Sequence, residues 1–103
     1  MKNLKDYSSA EAIYQKAFGI IRPLHEKKPG LYDIEMGSSL VNLAYLYKAQ
    51  LESSGELEYK EKGLNVLGEI VAMLDTMDPT LRHVQRFTKH KEELQLYFNN
   101  FQK

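Results

Sequence analysis

The stretch that decides the fold of this chain is Asp6-Tyr7-Ser8-Ser9-Ala10-Glu11-Ala12-Ile13-Tyr14-Gln15-Lys16-Ala17-Phe18-Gly19-Ile20. Ala10 and Ala17 are seven residues apart, so in a helix they lie on one stripe, with the aromatic Tyr14 between them. Small residues at this spacing allow a second helix to approach closely, and the aromatic ring fills the space beside them. The stretch therefore predicts a helix that packs tightly against a neighbour.

The composition is that of one domain without an excess of either charge. The 103 residues include 14 Lys plus Arg and 14 Asp plus Glu, so the formal net charge is zero. This balance argues against nucleic-acid binding and against a polybasic membrane anchor. The chain has no cysteine, which excludes disulfides and zinc–thiolate sites and fits a reducing compartment. We therefore expect a cytoplasmic protein that does not bind membranes.

Three breaks, rich in glycine, proline or serine, divide the chain into four predicted helices. They are Lys27-Lys28-Pro29-Gly30, Ser53-Ser54-Gly55 and Asp78-Pro79. No segment between them alternates apolar and polar residues with a period of two, so no strand is predicted. We expect a single all-α domain over residues 1–103. Its predicted helices cover about residues 8–25, 33–52, 57–77 and 79–102.

Apolar stripes predict which faces of these helices are buried. In the first helix the stripe is Ala10, Ile13, Ala17, Ile20, Ile21 and Leu24, and in the second it is Gly37, Leu40, Ala44, Tyr47 and Leu51. The third helix has two adjacent stripes, Leu57, Leu64, Leu67, Val71 and Leu74 beside Val66, Ile70, Met73 and Met77. The fourth helix has Val84, Phe87, Leu94, Phe98 and Phe101.

Proline and capping residues predict the helix ends. Pro23 would crowd the carbonyl of Gly19, so the first helix should kink or end near it. The fourth helix should begin with Asp78 as its cap and Pro79 at its first position.

Two segments resemble tetratricopeptide (TPR) repeats. The order Asp6-Tyr7, Ala10, Tyr14, Ala17 resembles the second helix of a repeat. Leu40-Val41-Asn42-Leu43-Ala44-Tyr45-Leu46-Tyr47 resembles the first helix of the longer, kinesin-light-chain-like variety. The resemblance covers about residues 5–77, with Gly63 near the small-residue position of the next helix. It implies an antiparallel TPR-like array of helices, an α-α superhelix, that is closed by the fourth helix.

The resemblance also implies a protein-binding function rather than an enzyme. In TPR proteins the first helix of a repeat lines the concave surface, and here that face of the second helix would present a protein or peptide ligand with Ser38, Val41, Asn42, Tyr45, Lys48 and Ala49. The alternative is structural: a fragment or terminal cap of a longer solenoid that self-associates. The first helix lacks the helix that normally precedes it, so we expect a homo-oligomer formed through Ala10, Ile13, Ala17 and Ile20.

No residue pattern predicts a catalytic site, a cofactor or a metal ion. His83 and His90 are seven residues apart, about 10 Å along a helix, which is too far for one metal ion without a further ligand. We therefore interpret His25, His83 and His90 as solvated surface residues. Paired glutamates on exposed helix faces, among them Glu92 and Glu93, are likewise interpreted as solvated charges.

Overall fold

A computed structural model describes residues 5–101, which form four α-helices and no strand. The helices are α1, Lys5–Lys27; α2, Pro29–Ser54; α3, Leu57–Leu74; and α4, Arg82–Asn100. Helix α2 packs against each of the other three, and α4 also packs against α3. The predicted all-α array of four helices is therefore confirmed. Within residues 5–101, no helix is both long enough and apolar enough to cross a membrane.

The first two helices are longer than predicted. Helix α1 continues through Pro23 to Lys27, because the loss of one backbone hydrogen bond is offset by contacts in the last turn. There the Lys28 N–H donates to the carbonyl of Leu24 at 2.9 Å, and His25 pairs with Asp33 of α2 at 2.8 Å. Helix α2 begins at Pro29 instead of residue 33, since proline is favoured at the first helical position. Gly55, with φ of 72°, ends α2.

The connection between α3 and α4 was predicted incorrectly. Helix α3 ends at Leu74 instead of residue 77, and the Thr76 hydroxyl donates to the carbonyl of Met73 at 2.8 Å. Asp78 does not cap α4. Its carboxylate accepts hydrogen bonds from the Thr80 N–H at 2.9 Å and the Thr80 hydroxyl at 2.7 Å, which fixes a turn, and α4 starts at Arg82.

The buried face of α1 agrees with the predicted stripe at Ile21 but not at Ile13, Ile20 or Leu24. Phe18 is the buried residue of α1, and Tyr14 and Ile21 pack beside it on the core. Ile13 and Ile20 are instead 66% and 64% exposed. Both stripes satisfy helical periodicity, and the larger aromatic surface of Phe18 and Tyr14 determines which one faces α2.

The predicted stripes of α2 and α4 are confirmed. On α2, Gly37, Leu40, Ala44, Tyr47 and Leu51 are all buried. On α4, Val84, Phe87, Leu94 and Phe98 are buried, and Phe101 packs partly buried at the end of the helix. Helix α3 contributes Gly63, Val66, Leu67, Ile70 and Met73 to the same core.

Two phenylalanine rings of α4 lie directly on two glycines of the array. The ring of Phe87 lies on Gly37 of α2, where an added Cβ would come within 2.7 Å of Cζ. The ring of Phe98 lies on Gly63 of α3, where a Cβ would come within 2.6 Å of Cε1. Real Cβ atoms essentially never approach so closely, so both glycines are required for α4 to pack where it does.

We predict that Gly37→Ala and Gly63→Ala each lower the free energy of unfolding by about 1–3 kcal/mol, because the new methyl group overpacks a filled site. Urea denaturation measures the effect. Phe87→Leu should partly rescue Gly37→Ala, and Phe98→Leu should partly rescue Gly63→Ala, as double-mutant cycles would show.

The matched control is Gly68→Ala on α3, where an added Cβ meets nothing within 4 Å. This substitution should raise stability by roughly 0.5–1 kcal/mol, because alanine is the better helix former. If all three substitutions stabilised the chain, the proposed contacts of Phe87 and Phe98 would be wrong.

A second stability prediction concerns Ala44, which is fully buried in α2. Ala44→Leu adds three heavy atoms at a close helix crossing and should cost on the order of 1–3 kcal/mol. The exposed Ala72 of α3 provides the control, since Ala72→Leu should change stability by only about 0.5 kcal/mol or less. An unchanged thermal midpoint for Ala44→Leu would contradict the close packing at this residue.

Candidate functional site

The structure leaves only part of the predicted α2 face open. Asn42 is exposed, whereas Ser38, Tyr45, Lys48 and Ala49 are partly covered. Val41 is buried, with 5% of its surface exposed, so the expectation that it faces outward is wrong. Gly37 and Tyr45 lie one helical turn before and after Val41, and both contact α4. Helix α4 therefore covers this flank of α2.

Tyr45 joins α2 to α4 through His90. The Tyr45 hydroxyl and His90 Nδ1 form a hydrogen bond of 2.9 Å, and the two rings meet edge to face with centroids 5.6 Å apart. Burial, together with the nearby Glu93 carboxylate, raises the pKa of Tyr45 above its ordinary value of 10.0. The phenol therefore stays neutral at physiological pH. Tyr45 thus contributes to the packing of α2 against α4 and is also partly exposed at the surface.

Lys48 lies between two tyrosine rings. Its ammonium group is 5.8 Å from the centroid of Tyr45 and 5.0 Å from that of Tyr97, within the range of cation–π attraction. Burial and the Glu52 carboxylate raise the pKa of Tyr97. Among residues 5–101, no carboxylate lies within 4.0 Å of the Lys48 ammonium, so it can accept an acidic partner.

A groove of about 590 Å³ lies beside these rings. Its lining residues are Lys48 of α2 together with Glu93, Leu96, Tyr97, Asn100 and Phe101 from α4 and its end. Leu96 is 65% exposed, which places a large apolar side chain at the rim. The groove thus combines an apolar wall with one cation and one carboxylate, and we call it the α2–α4 groove.

Sequence reasoning missed the α4 side of this groove. The residues that line it lie off the buried stripe of α4, and the signal that could have revealed them is Leu96. This residue is an apolar side chain on a helix face that otherwise carries glutamate, glutamine and asparagine. Single exposed apolar residues are common on protein surfaces, so Leu96 by itself does not distinguish a contact surface from an ordinary one.

A smaller groove of about 270 Å³ lies between α1 and α3. Three polar contacts cross this region. The Tyr47 hydroxyl donates to Glu11 at 2.7 Å, Lys62 pairs with the same carboxylate at 3.5 Å, and Arg22 pairs with Glu69 at 2.6 Å. Because its charged groups are paired with each other, this groove attaches α1 to the array and offers little to a ligand.

The three histidines are not the solvated residues expected from the sequence. His25 pairs with Asp33, His90 bonds to Tyr45, and the ring of His83 lies 6.0 Å from that of Phe87 with its Nε2 buried. Each therefore has a packing role between helices or within α4. Over residues 5–101, the structure brings together no cluster of three metal-ligating side chains.

Comparison of the chain with protein-family models, curated proteins and solved structures finds no match. The TPR resemblance therefore depends on the residue patterns alone.

We predict an alkaline loss of stability through Tyr47. Burial and the hydrogen bond to Glu11 raise its pKa well above the ordinary value of 10.0. The unfolded tyrosine loses its proton near pH 10 while the folded one keeps it, so this contribution to stability is complete below pH 10 and falls by up to about 1.4 kcal/mol per pH unit above it. Urea denaturation near pH 8 and near pH 11 measures the loss.

The variant Tyr47→Phe should lower stability at neutral pH by about 1–2 kcal/mol, because the hydrogen bond to a carboxylate is lost. It should also lose less stability than the wild type between these two pH values. The control is Tyr32→Phe, which removes a hydroxyl from a partly exposed residue of α2. A wild-type alkaline loss that Tyr47→Phe leaves unchanged would contradict this role for Tyr47.

Proposed function

We propose that this chain is a non-enzymatic protein–protein interaction module on a TPR-like scaffold, and that the α2–α4 groove is its docking site for a peptide or helix. The observation that carries the proposal is the pairing of an exposed Leu96 with Lys48, a cation that has no carboxylate partner within residues 5–101. Leu96 offers a ligand apolar area to bury, and the Lys48 ammonium offers it a complementary charge.

The packing order of the helices supports the TPR-like interpretation. Helix α2, which carries the first-helix pattern, lies beside α4, and both pack against α3. In a TPR array, successive first helices lie side by side and form the binding surface. On this interpretation the α2–α4 groove belongs to that surface, and its ligand would place an apolar side chain against Leu96 and an acidic group near Lys48.

A photo-crosslinking experiment tests the docking site. A photo-reactive amino acid is placed at position 96 and, as a control, at the exposed position 72 of α3. Proteins captured from a native lysate are identified by mass spectrometry and then purified for binding measurements. We expect the partner to crosslink at position 96 far more efficiently than at position 72.

With the purified partner, Lys48→Glu and Leu96→Ser should each weaken binding by about 1 kcal/mol or more, which is roughly fivefold in Kd. Circular dichroism should show an unchanged fold, because both side chains lie at the surface of the groove. The control is Ala72→Ser on α3. Equal crosslinking at the two positions, or full affinity in both groove variants, would show that the partner binds elsewhere.

A second candidate function is structural, with the chain forming one end of a longer helical array. The observation that favours it is the exposure of Ile13 and Ile20 on α1, on the flank where a TPR array would place the preceding helix. A longer gene product with further repeats before residue 1 would support it. Both proposed functions are compatible with the cytoplasmic location that we propose from the absence of cysteine.

A further inference from the structure

Exposed apolar side chains concentrate at the N-terminal end of the array. Among the residues that the structure describes, five of the eight exposed large hydrophobic side chains lie on α1 and in the first turns of α2: Ile13, Ile20, Leu24, Leu31 and Ile34. On α1, the spacings of seven and four residues place Ile13, Ile20 and Leu24 on one stripe. The half-exposed Ala17 lies within that stripe and leaves room for close approach. We call the stripe formed by Ile13, Ala17, Ile20 and Leu24 the α1 face.

Lysines border this face along its outer edge. Lys16 follows Ile13 by three positions and precedes Ile20 by four, so it lies beside both on the helix surface. Lys27 lies beside Leu24 in the same way, and Lys28 follows it. All three lysines are exposed, and within residues 5–101 none has a carboxylate within 4.0 Å.

The basic side chains described on the opposite side of α1 have acidic partners. Arg22 binds Glu69 of α3, and His25 binds Asp33 of α2. The basic charge that lacks a partner is thus confined to the edge of the apolar stripe. A ligand that covers the stripe must also face these lysines, so charge complementarity selects an acidic border.

We propose that the α1 face binds an amphipathic helix of another protein, whose apolar stripe is bordered on one side by aspartate and glutamate. Helix α1 has 23 residues and is therefore about 34 Å long. A partner helix of roughly 20 residues matches that length. Its apolar residues would cover Ile13, Ile20 and Leu24, and its acidic edge would face Lys16 and Lys27.

A second copy of the chain is another possible occupant, and charge disfavours its antiparallel packing on this face. Two α1 helices that pack antiparallel about a two-fold axis place the same edge of each helix side by side, which brings the two lysine edges together. A head-to-tail contact would place the α1 face of one copy on the exposed face of α4 in the next. This contact is also disfavoured, because that face of α4 is polar and carries Gln85, Arg86, Lys89 and Glu92. The homo-oligomer expected from the sequence is therefore an outcome of the test below.

The test uses two synthetic amphipathic peptides with identical leucine stripes. One has glutamate along one edge of the stripe, and the other has lysine at the same positions. Fluorescence anisotropy measures the Kd of each with the purified chain at about 50 mM and about 500 mM salt. We expect the acidic-edged peptide to bind at least about fivefold more tightly at low salt, and this difference should shrink at high salt.

Two variants separate the apolar and the charged contributions. Ile20→Ser should weaken the binding of both peptides, whereas Lys16→Glu with Lys27→Glu should reverse the preference between them. The controls are Leu57→Ser, another exposed leucine, and Arg82→Glu with Lys89→Glu, which changes the net charge by the same amount. Neither control should alter the affinity of either peptide.

Sedimentation velocity of the wild type and of Ile20→Ser completes the test. A wild type that is monomeric and binds the acidic-edged peptide as described supports the proposal. The proposal is overturned if the two peptides bind equally or if neither binds at about 1 mM. It is also overturned if the wild type forms a dimer that Ile20→Ser dissociates, because a second copy of the chain then occupies the α1 face. The variants distinguish this face from the α2–α4 groove, because they leave Lys48 and Leu96 unchanged; peptide binding that neither Ile20→Ser nor the double lysine variant alters would overturn the proposal for the α1 face.

Discussion

The position of α4 depends on two close contacts between aromatic rings and glycines. Phe87 lies on Gly37 and Phe98 lies on Gly63, and a single methyl group at either glycine would occupy the space of a ring. The two contacts are eleven residues apart on α4, about three helical turns, and they lie on two different helices. They therefore fix both the distance and the crossing of α4 over α2 and α3. The α2–α4 groove exists because this crossing places Leu96 and Tyr97 beside Lys48.

The sequence predicted the core of α2 better than that of α1, for a physical reason. Helix α2 carries apolar residues around most of its circumference and packs against all three other helices, so the predicted stripe of Gly37, Leu40, Ala44, Tyr47 and Leu51 is buried together with Val41 and Leu43. Helix α1 has two stripes of similar apolar content, one through Phe18 and one through Ile20. Periodicity cannot rank them, because the choice depends on which side chains fit against α2. The helix ends were predicted incorrectly for a similar reason. Local sequence favours a helix boundary at Pro23, but α1 continues through it because its last turn contacts α2. Local sequence also favours Asp78 as a helix cap, but its carboxylate instead accepts hydrogen bonds from Thr80 in a turn.

The predicted binding face supplies one lining residue of the candidate groove, Lys48, with Tyr45 beside it. Tyr45 and Lys48 were identified from the first-helix pattern, but their environment depends on α4, which carries no repeat pattern. The bond of Tyr45 to His90 and the contact of Lys48 with Tyr97 are long-range, and no local spacing predicts them. Val41 shows the same limit, since a position that is open in an isolated helix is buried once α4 crosses beside it.

The two ends of the array are held by different forces. Helix α4 buries four large apolar side chains, whereas Phe18 is the one fully buried residue among the described side chains of α1. The remaining attachment of α1 combines the partly buried Tyr14 and Ile21 with polar contacts, which join Tyr47 to Glu11, Arg22 to Glu69 and His25 to Asp33. Ion pairs at a partly exposed surface contribute little and are screened by salt, whereas buried apolar contacts are not. Helix α1 is therefore the less firmly attached end, and a helix that covered its exposed face would stabilise the part of the array that has the most apolar surface left to bury.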